Sequence, residues 1–266
     1  MRPIGGLGNG LRQQGCDVRY LGNDGYPPLA IGPSGGRAGG CVSIRADVSS
    51  QFLSALLMAL PLAHGSRELA TTIAVTTPLV SRPYVEITLR LMRQFGVNVE
   101  ALDASTFEVP AGAGYRTPGR LHVEGDASAA SYFLAAGVIG GGPVRVRGIG
   151  RESIQGDVAF AEVLARQGAG VRFGDNWIEA RRGNPLQGGT IDCMMIPDAA
   201  MTLAIVALFA RAPTRLVNIG SCRVQRTARN PCRDPGLAQI CTHDRAGDYL
   251  SRVGALRTSV ASATTT

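Results

Sequence analysis

The chain contains no lysine: all 27 of its basic residues are arginine. No lysine ammonium is available for catalysis or for holding phosphate, so cationic contacts fall to guanidinium groups. No apolar run reaches the roughly 18 to 20 residues of a membrane span, and Phe52–Ala63 falls well short. Nothing near Met1 reads as a signal peptide, because Arg2 and Pro3 lead into Gly-rich sequence without an apolar stretch. These absences point to a soluble, cytoplasmic protein. The six cysteines (16, 41, 193, 222, 232 and 241) form no C-x-x-C pair and keep no regular spacing with His64, His122 and His243. Neither a zinc site nor a disulfide framework is expected from them. The formal charge of +7 raises the question of nucleic acid, but no zinc finger, helix-turn-helix or aromatic-basic RNA motif accompanies it. A small anionic ligand explains the charge more simply. Disorder is excluded by 45% hydrophobic against 18% charged residues.

What the chain does have is a repeated pattern. Three times an apolar strand runs into an acidic or small polar residue and then into an apolar helix. The copies are Cys41–Ile44 with Asp47 to Ser50 and Phe52–Leu60; Leu121–Val123 with Asp126 to Ser128 and Tyr132–Ile139; and Ile191–Ile196 with Pro197 to Ala200 and Met201–Phe209. They recur roughly every 70 to 80 residues, a sign of internal duplication. Each places a helix N-terminus, a natural anion site, at an equivalent position.

The first copy continues with a strand over Ala70–Val75, Ser81-Arg82-Pro83-Tyr84, a helix over Val85–Phe95 ended by Gly96, and strands at Val97–Ala101 and Thr106–Val109. The second continues with Val144–Val146, a helix over Asp157–Gln167 ended by Gly168, and strands at Gly170–Phe173 and Trp177–Ala180. Each unit thus reads β-α-β-α-β-β, a mixed α/β pattern in which helices cover sheets. The third copy has a strand at Arg215–Asn218 and then loses the pattern after Val224. Pro231 and Pro235 forbid a helix there, and the segment from Arg223 carries seven arginines against three aspartates. The Ser/Thr/Ala-rich end, Thr258–Thr266, is expected to be disordered. The expected division is 1–124 and 125–224 as two incomplete domains joined near Glu124-Gly125-Asp126, with 225–266 as a divergent tail.

On the residues alone, Ser49, Ser50 and Gln51 set two hydroxyls and an amide beside free helix N–H groups, which suits an anionic or polyhydroxylated ligand. The competing reading is that Asp47 or Ser49, Ser81 and Asp198 are simple N-caps and Tyr84 a packed aromatic.

Four segments, in order, resemble the 5-enolpyruvylshikimate-3-phosphate synthase family. They are Asp47-Val48-Ser49-Ser50-Gln51-Phe52-Leu53-Ser54, Leu79-Val80-Ser81-Arg82-Pro83-Tyr84, Val123-Glu124-Gly125-Asp126-Ala127-Ser128, and Ile196-Pro197-Asp198-Ala199-Ala200-Met201-Thr202. The resemblance runs nearly unbroken from Arg2 to Val224. It implies the enolpyruvyl transferase fold (an inverse α/β prism), with a ligand cleft between two domains. It further implies transfer of the enolpyruvyl group of phosphoenolpyruvate to the 5-hydroxyl of shikimate 3-phosphate, on the route to chorismate and aromatic amino acids. That chemistry needs no metal or organic cofactor, and the family likeness suggests a monomer.

By the same resemblance, Ser49, Ser50, Gln51, Ser81, Tyr84 and Ser221 would contact shikimate 3-phosphate, and Gln51 would also lie near phosphoenolpyruvate. Arg2 and Arg229 would hold phosphoenolpyruvate through paired guanidinium hydrogen bonds. Asp198 would be the general base. The family pattern Arg-Val-Lys-Glu-Thr-Asp-Arg reads here Arg223-Val224-Gln225-Arg226-Thr227-Ala228-Arg229, replacing a lysine contact and inverting an acid. The family's N-terminal lysine segment and Gly-Asn-Ala-Gly-Thr loop would lie before Met1, so the chain corresponds to the middle of the enzyme. Residues 225–266 read as a frameshifted or recombined stretch. Two other expectations follow: a non-catalytic shikimate 3-phosphate-binding remnant, and the related enolpyruvyl transferase acting on UDP-N-acetylglucosamine.

Overall fold

The β-α-β-α-β-β reading of the first copy is realised as one four-stranded sheet with two helices. The computed structural model describes residues 3–32, 36–63, 68–79, 81–219, 241–243 and 249–253. The chain divides into two compact units, Met1–His122 and Val123–Thr266.

In the first unit, β3 (Gly40–Ile44) runs into α2 (Gln51–Ala59), and β4 (Thr71–Val75) returns parallel to β3. Next come α3 (Arg82–Gln94), β5 (Glu100–Ala101) and β6 (Thr106–Val109), giving the strand order β3-β4-β6-β5 with β4, β6 and β5 antiparallel. Strand β4 alternates buried and half-buried residues, so Thr71, Ile73 and Val75 face the core. Helix α3 buries Val85, Leu89 and Met92 at spacings of four and three, the stripe of an amphipathic helix. It ends as expected at Gly96, which takes φ of 84° while Val97 N donates to Met92 O at 2.9 Å. Phe107, Ile73, Leu53 and Leu57 close the core of this unit. Two expected bounds shift by more than one residue: β5 keeps only the last two residues of Val97–Ala101, and α3 starts at Arg82 rather than Val85.

Ahead of β3 lie elements with no clear sequence signal: α1 (Gly5–Gln13) and the antiparallel pair β1 (Val18–Tyr20) and β2 (Leu29–Ile31). Four of the nine residues of α1 are glycine, which weakens a helix by about 1 kcal/mol each relative to alanine. Close packing offsets this. A Cβ on Gly6 would lie 3.0 Å from the Phe52 ring, and one on Gly10 within 4 Å of Leu56, Ile44 and Val42. The Gln13 amide then accepts from Ser43 N and donates to Ser43 O, both at 2.8 Å, adding a rung to the edge of β3.

The second unit opens with α4 (Ala127–Gly140), followed by β7 (Val144–Arg147), a single 3-10 turn at Gly156–Val158, and α5 (Ala159–Arg166). Strands β8 (Gly170–Phe173) and β9 (Trp177–Arg181) complete an antiparallel sheet in the order β7-β9-β8. The expected strand Leu121–Val123 is not formed. Leu121 and Val123 are exposed, and the sheet provides them no paired neighbour, without which a strand has no ladder to hold it. The expected helix over Asp157–Gln167 is split, with its first turn tightened to 3-10.

Strand β10 (Gly189–Asp192) then leads through turns to α6 (Ala200–Ala207) and the parallel strand β11 (Thr214–Val217). The expected strand Ile191–Ile196 is thus shifted towards the N-terminus. Asp192 turns the chain by accepting from Met194 N at 2.8 Å, and Ile196 N closes a turn on Cys193 O at 3.0 Å. The stretch 220–240, in which the pattern is expected to be lost, lies outside the described residues. Strands β12 (Cys241–His243) and β13 (Tyr249–Val253) join β11 in the order β10-β11-β13-β12. Parallel first pair, antiparallel remainder and strand sequence all match the sheet β3-β4-β6-β5. Phe160, Leu164, Ile178 and Leu203 lie in the core of the second unit.

Candidate active site

In a β-α-β unit the helix starts lie beyond the carboxyl ends of the parallel strands, where ligands collect in open α/β sheets. Both units place their candidate residues there. After β3, Thr76 N donates to Ile44 O and Ala46 N to Thr77 Oγ1, each at 2.9 Å, tying together the loops that leave β3 and β4. Asp47 pairs with Arg45 at 2.7 Å, and that hydrogen bond holds its carboxyl below the ordinary range. Asp47 is therefore not the cap of α2.

The cap position is Ser50, which is buried and makes no side-chain capping bond. Ser49 Oγ instead accepts from Gln51 N at 3.2 Å, and the Gln51 side chain is exposed. So two hydroxyls and an amide meet at the start of α2, where the first-turn N–H groups carry partial positive charge. Ser81 stands at the N-cap position of α3 in the left-handed conformation, φ 53° and ψ 47°, and its side chain makes no capping bond. A non-glycine residue there costs about 1 to 2 kcal/mol, and such residues gather at functional sites. Tyr84 N donates to Ser81 O at 3.1 Å. One turn further on, Thr88 Oγ1 donates to Ser54 Oγ at 2.9 Å. Because α2 and α3 follow parallel strands, this bond sets the Ser50 and Ser81 ends of the two helices side by side. The structure thus brings Ser49, Ser50, Gln51, Ser81 and Tyr84 to one end of the first unit.

The same end holds a cavity of about 460 Å³ lined by Pro3, Gly5 and Gly6 of the α1 start and by Asp47, Val48 and Phe52, among others. Ser49, Ser50 and Gln51 are not in its lining, although Val48 and Phe52 flank them. Arg2, Ser221 and Arg229 lie outside the described residues, as does the altered stretch Gln225–Ala228.

In the second unit Asp198 occupies the corresponding place, between β10 and α6. It lies one residue before the N-cap Ala199, half-buried in a turn where Ala199 N donates to Ile196 O at 3.2 Å. The start of α4 is capped by Asp126, which accepts from Ala129 N at 3.1 Å. Glu124 accepts from Ile154 N, Gln155 Nε2 and Ser153 Oγ, and Gln155 Oε1 in turn accepts from Ala127 N at 2.9 Å. These bonds fix Glu124-Gly125-Asp126 against the loop before α5.

Sequence reasoning missed Asp157. It is 7% exposed, and its Oδ2 accepts from Ser128 Oγ. Burial, foremost, pushes its carboxyl up to about 6; the Ser128 bond opposes this, and the charges of Asp198 and Asp126 add to it. Read along the chain, Asp157 is only the first residue of a helix, and nothing local reveals a partner 29 positions away. Among the described residues no group of three or more His, Cys, Asp or Glu side chains is placed to hold a metal ion. Nor is any helix there long and apolar enough to cross a membrane.

The solved structures that this chain resembles show that its fold is that of the enolpyruvyl transferases. The chain is similar to the solved EPSP synthase of Acinetobacter baumannii, with a TM-score of 0.68 and 22% identity over 95% of this chain and 57% of that one. It is also similar to the enolpyruvyl transferase NikO of Streptomyces tendae, with a TM-score of 0.58 and 18% identity over 92% and 57% of the two chains.

The profile of the EPSP synthase (3-phosphoshikimate 1-carboxyvinyltransferase) family matches residues 1–232, and the chain belongs to that family. A 3-phosphoshikimate 1-carboxyvinyltransferase of Ralstonia nicotianae is 57% identical over 232 residues, 86% of this chain and 53% of the relative. One of Cupriavidus necator is 57% identical over 254 residues, 94% of this chain and 58% of the relative. The chain spans a little over half the length of the curated relatives it matches.

Proposed function

We propose that this chain carries substrate-binding and base residues for transfer of the enolpyruvyl group from phosphoenolpyruvate to the 5-hydroxyl of shikimate 3-phosphate. The observation that carries the reading is the 57% identity to relatives named 3-phosphoshikimate 1-carboxyvinyltransferase. Nothing comparable favours transfer to UDP-N-acetylglucosamine. In the reaction a proton adds to the methylene carbon of phosphoenolpyruvate and the 5-hydroxyl, giving up its own proton, adds to the carbon that bears the phosphate; loss of phosphate together with a proton from the new methyl group of this tetrahedral intermediate then leaves the enol ether.

The reading assigns shikimate 3-phosphate to Ser49, Ser50, Gln51, Ser81 and Tyr84 in the first unit, together with Ser221. Support comes from the start of α2, where helix N–H groups, hydroxyls and an amide suit a phosphorylated polyol. Phosphoenolpyruvate is assigned to Arg2 and Arg229, as guanidinium partners of its carboxylate and phosphate. Asp198 is assigned as the base that takes the hydroxyl proton, which requires hydrogen-bond reach of that proton.

Gln225 and Arg226 stand where the family pattern has lysine and glutamate. Each lost electrostatic partner of a transition state costs about 2.7 to 4 kcal/mol, so turnover by this chain alone is expected to be negligible. The reading includes a cytoplasmic, monomeric protein. Calorimetric titration with shikimate 3-phosphate, beside a continuous phosphate-release assay, tests it. Binding that Gln51→Ala weakens at least tenfold, with release at background, is the expected result. A folded chain that does not bind shikimate 3-phosphate would overturn the assignment, and near-normal phosphate release would overturn the expected loss of turnover.

A further inference from the structure

The residues assigned to shikimate 3-phosphate in the first unit sit at two helix starts, and a polar bridge ties those helices together. Helices α2 and α3 share an apolar core, with Leu53 and Leu57 on one and Val85 and Leu89 on the other. Apolar contact is non-directional and does not fix how far one helix slides or turns against its neighbour. A hydrogen bond does, because it weakens steeply with distance and angle. Thr88 Oγ1, half-buried next to Leu89, lies 2.9 Å from Ser54 Oγ and 3.0 Å from Tyr84 O. The bridge reaches both helix starts through the backbone. Ser54 N donates to Ser50 O at 3.0 Å, and Tyr84 N donates to Ser81 O at 3.1 Å. Neither bridge residue suits a helix interior: serine competes with the backbone for hydrogen bonds, and threonine is stiffened by its branched Cβ. Facing each other, they weaken their own helices slightly and supply a directional contact between them.

We propose that Thr88 is a positioning residue for the shikimate 3-phosphate site, setting residues 81–84 at the start of α3 in register with residues 49–51 at the start of α2. This rests on the function proposed above, from which the ligand and its contacts are taken. A ligand held from two helix starts at once needs both in place, to within about 0.5 Å. Ser81 makes that demand sharper. Its left-handed backbone is a conformation that persists only where the surroundings over-determine it. Thr88, between Ser54 and Tyr84 O, steadies the turn directly after it. Thr88 is assigned no contact with the ligand and acts through Tyr84 and Ser81.

Calorimetric titration of the full 266-residue chain with shikimate 3-phosphate tests this. Thr88→Val keeps the shape and removes the hydroxyl, and should weaken binding about tenfold. Ser54→Ala removes the partner and should weaken binding by a similar factor. Thr88→Ser restores a hydroxyl at the same place and should bind as the parent does. Ile73→Val, at a fully buried position of β4 in the same core but with no part in the bridge, is the control for general loosening. It should lower stability and leave affinity unchanged. A merely structural bridge would lower stability in Thr88→Val and Ile73→Val alike and affinity in neither. Unchanged affinity in Thr88→Val and Ser54→Ala, no rescue by Thr88→Ser, or an equal loss in Ile73→Val overturns the proposal. If Thr88→Val does not fold, Ser54→Ala provides the same readout. A folded parent that does not bind shikimate 3-phosphate overturns the proposed function and this role with it; a parent and a Thr88→Val variant that bind alike overturn this role alone.

Discussion

Thr88 donates to Ser54 across the two helices of the first unit, hydroxyl to hydroxyl at 2.9 Å. The Thr88 hydroxyl also lies 3.0 Å from Tyr84 O, so it sits where α3 could bond to itself or to its neighbour. Neutral hydrogen bonds of this kind contribute about 0.5 to 1.5 kcal/mol. Thr88→Val and Ser54→Ala should each lower the unfolding free energy by about 1 kcal/mol in urea titrations. The double variant should lose little more than the larger single loss, because both changes remove the same bond. Full additivity would show that the two hydroxyls do not interact.

Helix α4 offers a test of close packing within a single element. A Cβ on Gly137 would lie 2.5 Å from Ala180 O of β9 and 3.0 Å from Val144 Cβ of β7, so only glycine allows the helix so near the sheet. Gly137→Ala should destabilise by about 1 to 3 kcal/mol, as overpacking typically does. Gly140, three residues on, has nothing within 4 Å of a built Cβ. Gly140→Ala should stabilise by about 0.4 to 1 kcal/mol by restricting the unfolded chain. Thermal or urea unfolding of the two variants, side by side, measures the contrast.

Asp157 gives the second unit a pH dependence opposite to that of most paired carboxylates. Its folded value is raised from 3.8 to about 6, so between those limits the folded chain binds more protons than the unfolded one. The stabilisation is fully present below 3.8, is lost as pH rises, and is gone above about 6. At about 1.4 kcal/mol per unit, the loss approaches 3 kcal/mol. Asp157→Asn keeps an acceptor for Ser128 and cannot ionise. It should remove this slope and raise stability above pH 6, as read from denaturation midpoints across the range.

Much of the first unit could be read from the sequence, and the reason is periodicity. Apolar residues in Cys41–Ile44, Ala70–Val75 and Thr106–Val109 alternate or cluster as strands should, and Gly96 marks the end of α3. Leu121–Val123 misled for the same reason: strand-like residues form a strand only where a neighbour accepts them. The strands β12 and β13 went unread because prolines and arginines before them broke the helical pattern, which says nothing of short strands beyond. Ser49-Ser50-Gln51 could be read on the residues alone, as hydroxyls and an amide at a helix start, whereas Asp198 by itself read as a plain cap and stood out only through a family likeness. Asp157 had neither advantage; its environment is made by Asp126 and Ser128 at the start of α4 and by Asp198 ahead of α6, which meet its own turn only in the folded unit.

Ser81 separates binding from stability. Its left-handed backbone suits glycine better than serine. Ser81→Gly should leave the unfolding free energy within about 1 kcal/mol of the parent, since relief of strain offsets what the side chain contributed. It should nevertheless weaken shikimate 3-phosphate at least tenfold in calorimetry. Unchanged affinity would remove Ser81 from the proposed binding set.

Helix α1 has a different kind of existence from α2 or α3. With glycine at 5, 6, 8 and 10 and only nine residues, it is too short and too weak to persist as an isolated helix. It is helical because Phe52, Leu56, Val42 and Ile44 provide the surface it lies on. It follows that the stretch 3–13 takes its shape from outside itself, from Val18, Tyr20 and Gly25 nearby and from Val42, Ile44, Phe52 and Leu56 further along the chain. Amide exchange along α1 is then a gauge of whether β3 and α2 have met, and anything that parts them will show there first.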